Sequence, residues 1–556
     1  MTAQNTSASA SLMTTPRRTL RLDLWSAGSV LIAALVVLPI LAVVWIAFHP
    51  VENIWPHLMA TTLPRYLFNS ALMMVAVGVL AAVIGVSTAW MVVMYRFPGK
   101  SWLQWVLLFP LSIPAYVGAY ALVDFLEYAG PVQMTLREIF GWADSRDYWF
   151  PQIRSRGAAI VVMALALYPY IYLLTRAAFR EQSGSIYDVA RALGAGPFER
   201  FWRVGLPLVR PAIAAGMAIV MMETVSDFGT VEYFAVQTLT TGIFTVWLEA
   251  NNAGGAAQIS GVVLLMVLLL VGLEKTSRRK QRFHQGARNK QPMVPIQLTG
   301  ASAWLVTLLC LLPILAGFVL PVGVMMSHAL TNTNYWSNPH LISALTNTVS
   351  VGSAAAFSTV IAAVFLVYGV RLSGKRIPQL MMPLTTIGYA APGAVLAVGI
   401  LIPMAAIDHV VADFVEWVSG VDIGLVMTGS GFAIVFAYGV RFFAIAQGAA
   451  DGAMGRISPS LPMAARSLGC TAGGTLRRVY APLMRGSLLT ALLLVFVDCV
   501  KELPATLLLR PFNFNTLSTL VYEQASLENI GESSPAALMV IGVGMVAVLF
   551  LARSSR

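Results

Sequence analysis

The sequence contains very few charged residues for its length. Only 11% of its 556 residues are Asp, Glu, Lys or Arg, whereas 58% are hydrophobic and the mean hydropathy is +0.75. Soluble domains carry about 25% charged residues. A chain with so little polar surface cannot face water over most of its length. This scarcity excludes an ordinary soluble protein and predicts one that is mostly embedded in lipid.

Patterns typical of disulfides, metal centres and nucleotide sites are also lacking. The three cysteines are widely spaced without a CxxC pair, and the six histidines form no HExxH motif, which argues against a disulfide framework and a zinc site. The GKS at 99–101 resembles the end of a phosphate-binding loop, but Met94 stands where the first glycine is required. We therefore predict no enzyme and no cofactor in this chain.

Twelve apolar runs are long enough to cross a membrane, since a spanning helix needs about 20 apolar residues. The sequence therefore predicts an all-α polytopic membrane protein with about twelve transmembrane helices. The runs lie at approximately 24–48, 67–95, 102–128, 157–178, 209–228, 256–273, 301–327, 342–370, 377–405, 424–447, 484–503 and 534–553.

Basic residues set the expected orientation, because Lys and Arg concentrate in cytoplasmic loops. Basic clusters occur at 17–21, 94–100, 274–290 and 371–376, while an acidic stretch at 408–422 falls on the opposite side. We expect both termini in the cytoplasm of a cell with an inner membrane. The net charge of +11 is explained by this orientation, so nucleic acid is not an expected partner.

The two halves of the chain repeat each other. The segment that begins at Asp188 recurs at Met463, an offset of 463 − 188 = 275, with identical residues at seven of twenty positions. An even number of predicted spans separates the copies, so the repeats are parallel. The expected divisions are a cytoplasmic tail at 1–23, a first six-helix half at 24–273, a basic cytoplasmic linker at 274–300 and a second six-helix half at 301–556.

Each repeated segment is a loop between the fourth and fifth spans of its half, at 185–207 and 460–482. Its small residues, central glycine and closing proline predict a short helix, a turn and a break before the next span. The pattern resembles the docking loop of ABC importer permeases, which contacts the ATPase, and this implies a type I importer fold. The coupling residues so implied are Asp188, Ala190, Gly194, Pro207, Ala464, Ala465, Gly469 and Pro482.

Carboxylates lie deep inside the fifth span of each half. Glu223 follows Pro211 by about twelve residues, or roughly 18 Å of helix, and Asp227 follows four residues later on the same predicted helix face. The second half repeats the pair as Asp498 and Glu502, again at an offset of 275, and adds Lys501. Buried carboxylates usually face a bundle interior or a water-filled path, so these five residues are candidates for a solute pathway or gate.

An alternative for the same residues is that the helices end early, with the acids near the outer surface and Lys501 in a structural ion pair. If they do meet the solute, hard oxygen ligands favour a small, highly charged cation over an anion. Asp227 and Glu502 are then expected to contact a metal ion transiently during its passage.

The stretches 223–234 and 501–523 resemble those of iron(III) permeases, and the similarity extends to 113–122 and 388–401. The resemblance implies import of iron(III) from a periplasmic iron-binding protein. It also implies a partner dimer of ABC ATPase subunits that supplies ATP and Mg. Fused ABC permeases for thiamine or phosphonate share this architecture, and a major-facilitator-type secondary transporter would show twelve spans in parallel halves without docking loops.

Overall fold

The structure is a computed structural model that describes residues 24–279, 294–331 and 333–554. Within these ranges, eleven helices are long and apolar enough to cross a membrane, or twelve if one sharply bent pair counts as a single span. The predicted all-α polytopic fold is confirmed. The predicted tail at 1–23 and the linker residues 280–293 lie outside the described residues.

The first half contains six spans, of which the third is bent and the fifth is followed by short helices. The long helices are Leu24–Phe48, Leu63–Met94, Arg156–Arg180, Leu206–Ser226 and Ala253–Arg279. The bent third span consists of Lys100–Val106, Phe109–Ser112 and Ala115–Leu126, followed by Pro131–Phe140. The short helices are Trp55–Ala60, Gly184–Ala192, Pro197–Glu199, Gly229–Tyr233 and Leu239–Phe244.

The second half repeats this order of elements. Its first span consists of Ala301–Ile314 and Leu320–Thr331, which are joined by a π-helical turn. The other long helices are Pro339–Ser373, Gly393–Ser419, Phe432–Gly455, Ala481–Lys501 and Ile530–Ser554. Its short helices are Arg376–Met381, Ile387–Ala390, Ser460–Ser467, Ala472–Thr475, Pro504–Leu509 and Leu517–Ser526.

The third span of each half departs from the sequence prediction. In the first half the predicted helix 102–128 is broken into two parts that meet at 92°. In the second half a single helix was predicted at 377–405. The structure instead has short helices there, followed by the long helix Gly393–Ser419. Both breaks fall just before a proline, at Pro114 and Pro392, because a residue that precedes proline avoids the helical conformation. Ile113 and Ala391 are accordingly extended, with ψ of 121° and 126°.

The helix Gly393–Ser419 extends beyond the predicted span, so it includes acidic residues that were predicted to lie in an outer loop. Asp408, Asp413 and Glu416 lie on Gly393–Ser419 instead. Asp408 is buried and accepts backbone N–H groups of residues 426–428 at 2.7–3.2 Å. This carboxylate therefore ties the end of its helix to the following loop.

The break predicted at Pro207 and Pro482 is wrong. The fifth spans run without interruption from Pro197 to Ser226 and from Ala472 to Lys501. A π-helical turn precedes each proline, and the N–H of Leu206 bonds to the carbonyl of Phe201, five residues back. Proline lacks an N–H and crowds the preceding turn; the wider turn accommodates it while the chain remains helical.

The first helix of each half packs against the opposite half. Leu24–Phe48 contacts Pro339–Ser373 and Gly393–Ser419, and Trp25 stacks on Phe365 with ring centroids 4.8 Å apart. Conversely, Leu320–Thr331 contacts Ala115–Leu126, where His328 Nε2 lies 2.8 Å from Asp124 Oδ2. The two halves are therefore interlocked rather than placed side by side.

The two repeated loops, the start of the first helix and the end of the linker lie at one end of the bundle. Strand Tyr95–Arg96 pairs in parallel with strand Ile296–Gln297, beside the first repeated loop. At the second loop the hydroxyl of Tyr368 donates to the carbonyl of Ala472 at 2.7 Å, and Trp25 packs edge-on against Tyr368. The described basic segments 94–100 and 371–376 thus lie at this same end of the molecule; the basic residues at 17–21 and 280–290 lie outside the described residues.

We predict that Gly399→Ala destabilises the interlocked halves. A Cβ at this position would clash with the backbone carbonyl of Pro39 and lie 2.7 Å from Val43 Cγ2, so the first helix would have to move away from the second half. The midpoint of thermal unfolding of the purified protein should fall by several degrees. Gly542→Ala is the control, because a Cβ there meets no atom within 4 Å and alanine favours helix by about 1 kcal/mol. Equal midpoints for the two variants would contradict the packing role of Gly399.

Candidate functional site

The fifth spans end in the interior of the protein. Their helices stop at Ser226 and Lys501. Asp227 and Glu502 therefore lie just beyond the helix ends, with extended ψ values of 137° and 121°, and not on the helix face shared with Glu223 and Asp498 as predicted. The alternative that these helices end early is correct on this point.

Asp227 and Glu502 cap the short helices that follow. Oδ1 of Asp227 accepts the N–H groups of Thr230 and Val231 at 2.9 and 3.2 Å, and Oδ2 accepts the Thr230 hydroxyl at 2.9 Å. Oε1 of Glu502 accepts the N–H of Ala505 at 2.9 Å. Since the first N–H groups of a helix have no partner within it, these carboxylates satisfy backbone groups that the broken spans leave free.

The segments after the capping residues fold back in the same way in both halves; we call 228–244 and 503–526 the seal segments. Asn69 on the second span donates to the carbonyl of Gln237 at 2.7 Å, and its counterpart Asn347 donates to that of Asn515 at 3.0 Å. Each segment also returns a hydroxyl to the capping residue's carbonyl at 2.8 Å. The seal segments are thus anchored to the bundle at matching points.

The seal segments meet each other across the two halves. A Cβ on Gly229 would lie 2.8 Å from Cδ2 of Leu503, and Phe228 packs against Tyr522 with ring centroids 5.6 Å apart. Phe228 also stacks on Phe244 at 3.7 Å. These contacts form an apolar layer between the capping carboxylates and the end of the bundle opposite the repeated loops.

A cavity of about 160 Å³ lies next to this layer. All five predicted pathway residues line it: Glu223, Asp227, Asp498, Lys501 and Glu502. Equivalent positions of the two halves line the cavity in pairs, including Ala166 with Arg441 and Ser226 with Lys501. Both pairs have the sequence offset of the repeat, since 441 − 166 = 275 and 501 − 226 = 275. The cavity therefore lies on the pseudo-twofold axis between the halves.

Glu223 and Asp498 differ from the capping pair. Neither carboxylate has a hydrogen bond or ion pair to any of the described residues, whereas both line the cavity. Ionised carboxylates lose much solvation inside a protein, so water or a bound solute must supply their partners. These two side chains are the ones left available to a ligand.

Lys501 donates to the backbone carbonyl of Leu111 at 2.9 Å and, within the described part of the chain, forms no ion pair within 4 Å. The structural ion pair offered as an alternative is not formed in this conformation. Glu502 is 5% exposed, whereas Glu223, Asp227 and Asp498 are half-buried at the cavity wall.

Sequence reasoning missed Arg441, which lies on Phe432–Gly455 and is 9% exposed. Its Nε lies 3.5 Å from Oε2 of Glu502, so it partly neutralises that carboxylate. Gly393 makes room for the pair, since a Cβ there would lie 2.6 Å from Nη1 of Arg441. A signal was present, because an arginine inside an apolar run is itself a mark of a functional position.

No group of three or more His, Cys, Asp or Glu side chains suited to a metal ion occurs among residues 24–279, 294–331 and 333–554. Transient contact of Asp227 and Glu502 with a metal ion stays a prediction.

The two repeated loops have the same geometry. Each short helix ends at a glycine with positive φ, +87° at Gly194 and +84° at Gly469. The following residue bonds back to Ala190 and Ala465 respectively, at 3.0 Å in both loops. Such a left-handed residue closes a helix and strongly favours glycine. Asp188 and Ala464 lie exposed on these short helices, while Pro207 and Pro482 lie in the spans that follow.

Apolar side chains project from both loops. Leu193 is 82% exposed and its counterpart Leu468 is 86% exposed. Phe198 and Trp202 add exposed aromatic surface to the first loop. Each loop is held from below by an aromatic residue of the second span, Trp90 or its counterpart Tyr368. Both loops therefore present exposed apolar side chains at one end of the bundle.

Comparison with known proteins gives matches in both parts of the chain. Residues 74–280 match the family model described as binding-protein-dependent transport system inner membrane component. The chain is 26% identical over 496 residues to the Fe(3+)-transport system permease protein FbpB 2 of Haemophilus influenzae, covering 87% of this chain and 89% of that protein. It is 28% identical over 206 residues to the molybdenum transport system permease protein ModB of Escherichia coli, covering 35% of this chain and 86% of that protein.

The fold, the paired loops and these matches define a membrane-spanning transport subunit rather than an enzyme. Residues 74–280 match the binding-protein-dependent permease family, and the chain resembles an iron(III) permease over most of its length, with two permease-like halves in one polypeptide. The description of the matched family names a binding-protein-dependent transport system, which implies that partner proteins act with the permease.

We predict that Asp227→Ala destabilises the protein whereas Asp413→Ala does not. The first change removes three hydrogen bonds that cap a buried helix, and loss of a cap costs about 0.5–2 kcal/mol. Asp413 lies exposed on Gly393–Ser419 and serves as the control. Thermal unfolding of both variants in detergent tests this, and an unchanged midpoint for Asp227→Ala would show that the cap contributes nothing.

Proposed function

We propose that this permease moves iron(III) across the inner membrane from a periplasmic iron-binding protein to the cytoplasm. The observation that carries the proposal is the pair Glu223 and Asp498, two symmetric carboxylates that face a buried cavity between the halves without a partner among the described residues. Carboxylate oxygens are ligands suited to hard cations. The similarity to an Fe(3+)-transport permease over 87% of the chain supports the same cargo.

The cavity and the seal segments fit alternating access. A solute that enters from the binding protein must pass the apolar layer of Phe228 and Leu503, reach the carboxylates and leave toward the docking loops. Asp227 and Glu502 cap the seal segments, so movement of these segments changes the position of both carboxylates. Their transient contact with the metal ion is part of this proposal.

The docking loops are the proposed contact with a dimer of ABC ATPase subunits, which bind ATP and Mg. Leu193 and Leu468 offer equivalent exposed apolar side chains, one to each ATPase subunit. These loops share one end of the bundle with the basic segments 94–100 and 371–376. Because basic loops favour the cytoplasm, we place this end and both termini inside the cell. The binding protein then meets the opposite end, where the seal segments lie.

We predict that Glu223→Gln combined with Asp498→Asn abolishes iron uptake, because the cavity then retains no unpartnered carboxylate for the cation. Uptake of ⁵⁵Fe should be measured in liposomes that contain the permease and its ATPase. The iron-loaded binding protein is added on the side of the membrane that the seal segments face. Co-purification of the ATPase should be unchanged. Asp413→Asn is the matched control and should transport at the normal rate. Normal uptake by the double variant would remove these carboxylates from the pathway.

We predict that Gly194→Ala and Gly469→Ala uncouple transport, because alanine at a φ near +85° is strained and the docking helix would end differently. Substrate-stimulated ATP hydrolysis and co-purification of the ATPase should both fall. Gly196→Ala is the control, since φ there is −68° and a Cβ meets no atom within 4 Å. If Gly196→Ala and Gly194→Ala behave alike, the shape of this turn has no part in coupling.

A further inference from the structure

The cavity contains hydrogen-bond donors that a metal ion cannot use. Nη1 of Arg441 is buried and has no hydrogen-bond partner among the described residues, and the same holds for the hydroxyl of Tyr116. Both side chains line the cavity; Arg441 is 9% exposed and Tyr116 4%. A buried donor without a partner costs about 1–3 kcal/mol. Two such donors at one cavity therefore leave room for an acceptor, which water or an oxyanion of the solute can supply.

The positive charges of the cavity belong to one half only. Arg441 and Lys501 lie in the second half, and their equivalents in the first half are Ala166 and Ser226, which also line the cavity. The carboxylates, by contrast, are present in both halves. The cavity therefore has carboxylates on both sides of its axis and basic groups on one side.

This arrangement does not match a bare ferric ion. N–H and O–H donors bind oxygens that carry negative charge, and guanidinium binds oxyanions most strongly. A trivalent cation would be repelled by Arg441 and Lys501 and would leave the donors unsatisfied. A free oxyanion would satisfy the donors, yet it would be repelled by the four carboxylates that line the cavity. A cargo that carries both a cation and an oxyanion satisfies both sets of groups.

We propose that the cavity receives iron(III) together with a bound oxyanion, with the metal toward Glu223 and Asp498 and the oxyanion toward Arg441 and Tyr116. This inference rests on the proposed function and specifies the chemical form of its cargo. The formal charges agree with it, since four carboxylates and two basic groups give 2 − 4 = −2. Iron(III) with a divalent oxyanion carries +1, which such a cavity attracts more weakly than the bare ion and so can release.

The test follows metal and oxyanion together. The permease with its ATPase is placed in liposomes with binding protein loaded with ⁵⁵Fe and either [³³P]phosphate or [¹⁴C]bicarbonate. We expect one of these oxyanions to enter with iron in a constant ratio, dependent on ATP. Tyr116→Phe should lower uptake of both labels by about tenfold, as expected for one lost hydrogen bond to a charged group.

Tyr120→Phe is the matched control. The hydroxyl of Tyr120 is also buried and without a partner in the described structure, but Tyr120 does not line the cavity, so uptake should be unchanged. Neither variant should unfold at a lower temperature than the parent protein, because each removes a buried hydroxyl that bonds to no described group. Arg441→Lys, which keeps the charge beside Glu502 but removes the planar fork, should also lower uptake of both labels.

The outcomes separate the two proposals. If ⁵⁵Fe enters without either oxyanion and Tyr116→Phe transports normally, the co-ligand is overturned while iron import stands. If an oxyanion enters without iron, the free anion is the cargo and both the ferric complex and iron import are overturned. If Tyr116→Phe and Tyr120→Phe reduce uptake equally, the Tyr116 hydroxyl has no role in the cavity and its assignment fails.

Discussion

Backbone groups inside a membrane protein need partners within the protein, because the bilayer core offers none. The rest of this structure depends on how that requirement is met where the chain leaves its fifth helices at Ser226 and Lys501. Asp227 and Glu502 accept the freed N–H groups, and hydroxyls of the seal segments bond to the carbonyls of these same residues. The broken spans can therefore lie in the interior, and the cavity exists at the place where they end.

Duplication has preserved the framework and changed the lining of the cavity. Asn69 and Asn347 anchor the seal segments alike, and Trp90 and Tyr368 support the docking loops alike. The basic residues that line the cavity, Arg441 and Lys501, are replaced by uncharged residues at the equivalent positions of the first half. Two identical subunits related by exact symmetry would present every lining residue twice, whereas a fused chain presents Arg441 and Lys501 once each.

Periodicity and length of the apolar runs predicted most spans to within a few residues, because an apolar helix is the dominant signal in such a sequence. The breaks before Pro114 and Pro392 were missed, since composition remains apolar across them. The repeat grouped the four carboxylates, which all line the cavity. It could not separate capping Asp227 from unpartnered Glu223, because that difference depends on where the helix ends. Arg441 was missed because it lies on Phe432–Gly455, one span before the repeated carboxylates that drew attention to Lys501.

The packing of each first helix against the opposite half has a consequence for biosynthesis. Pro39 contacts Gly399, which leaves the ribosome 399 − 39 = 360 residues later. At about 5–20 residues per second, this helix waits about 20 to 70 s for its partner. During that interval Leu24–Phe48 must be held in the membrane by lipid, by the insertion machinery or by its own half alone. The nascent first half is thus an incomplete folding unit, and chain termination between the halves would release a fragment that lacks the surface its first helix is shaped to fit.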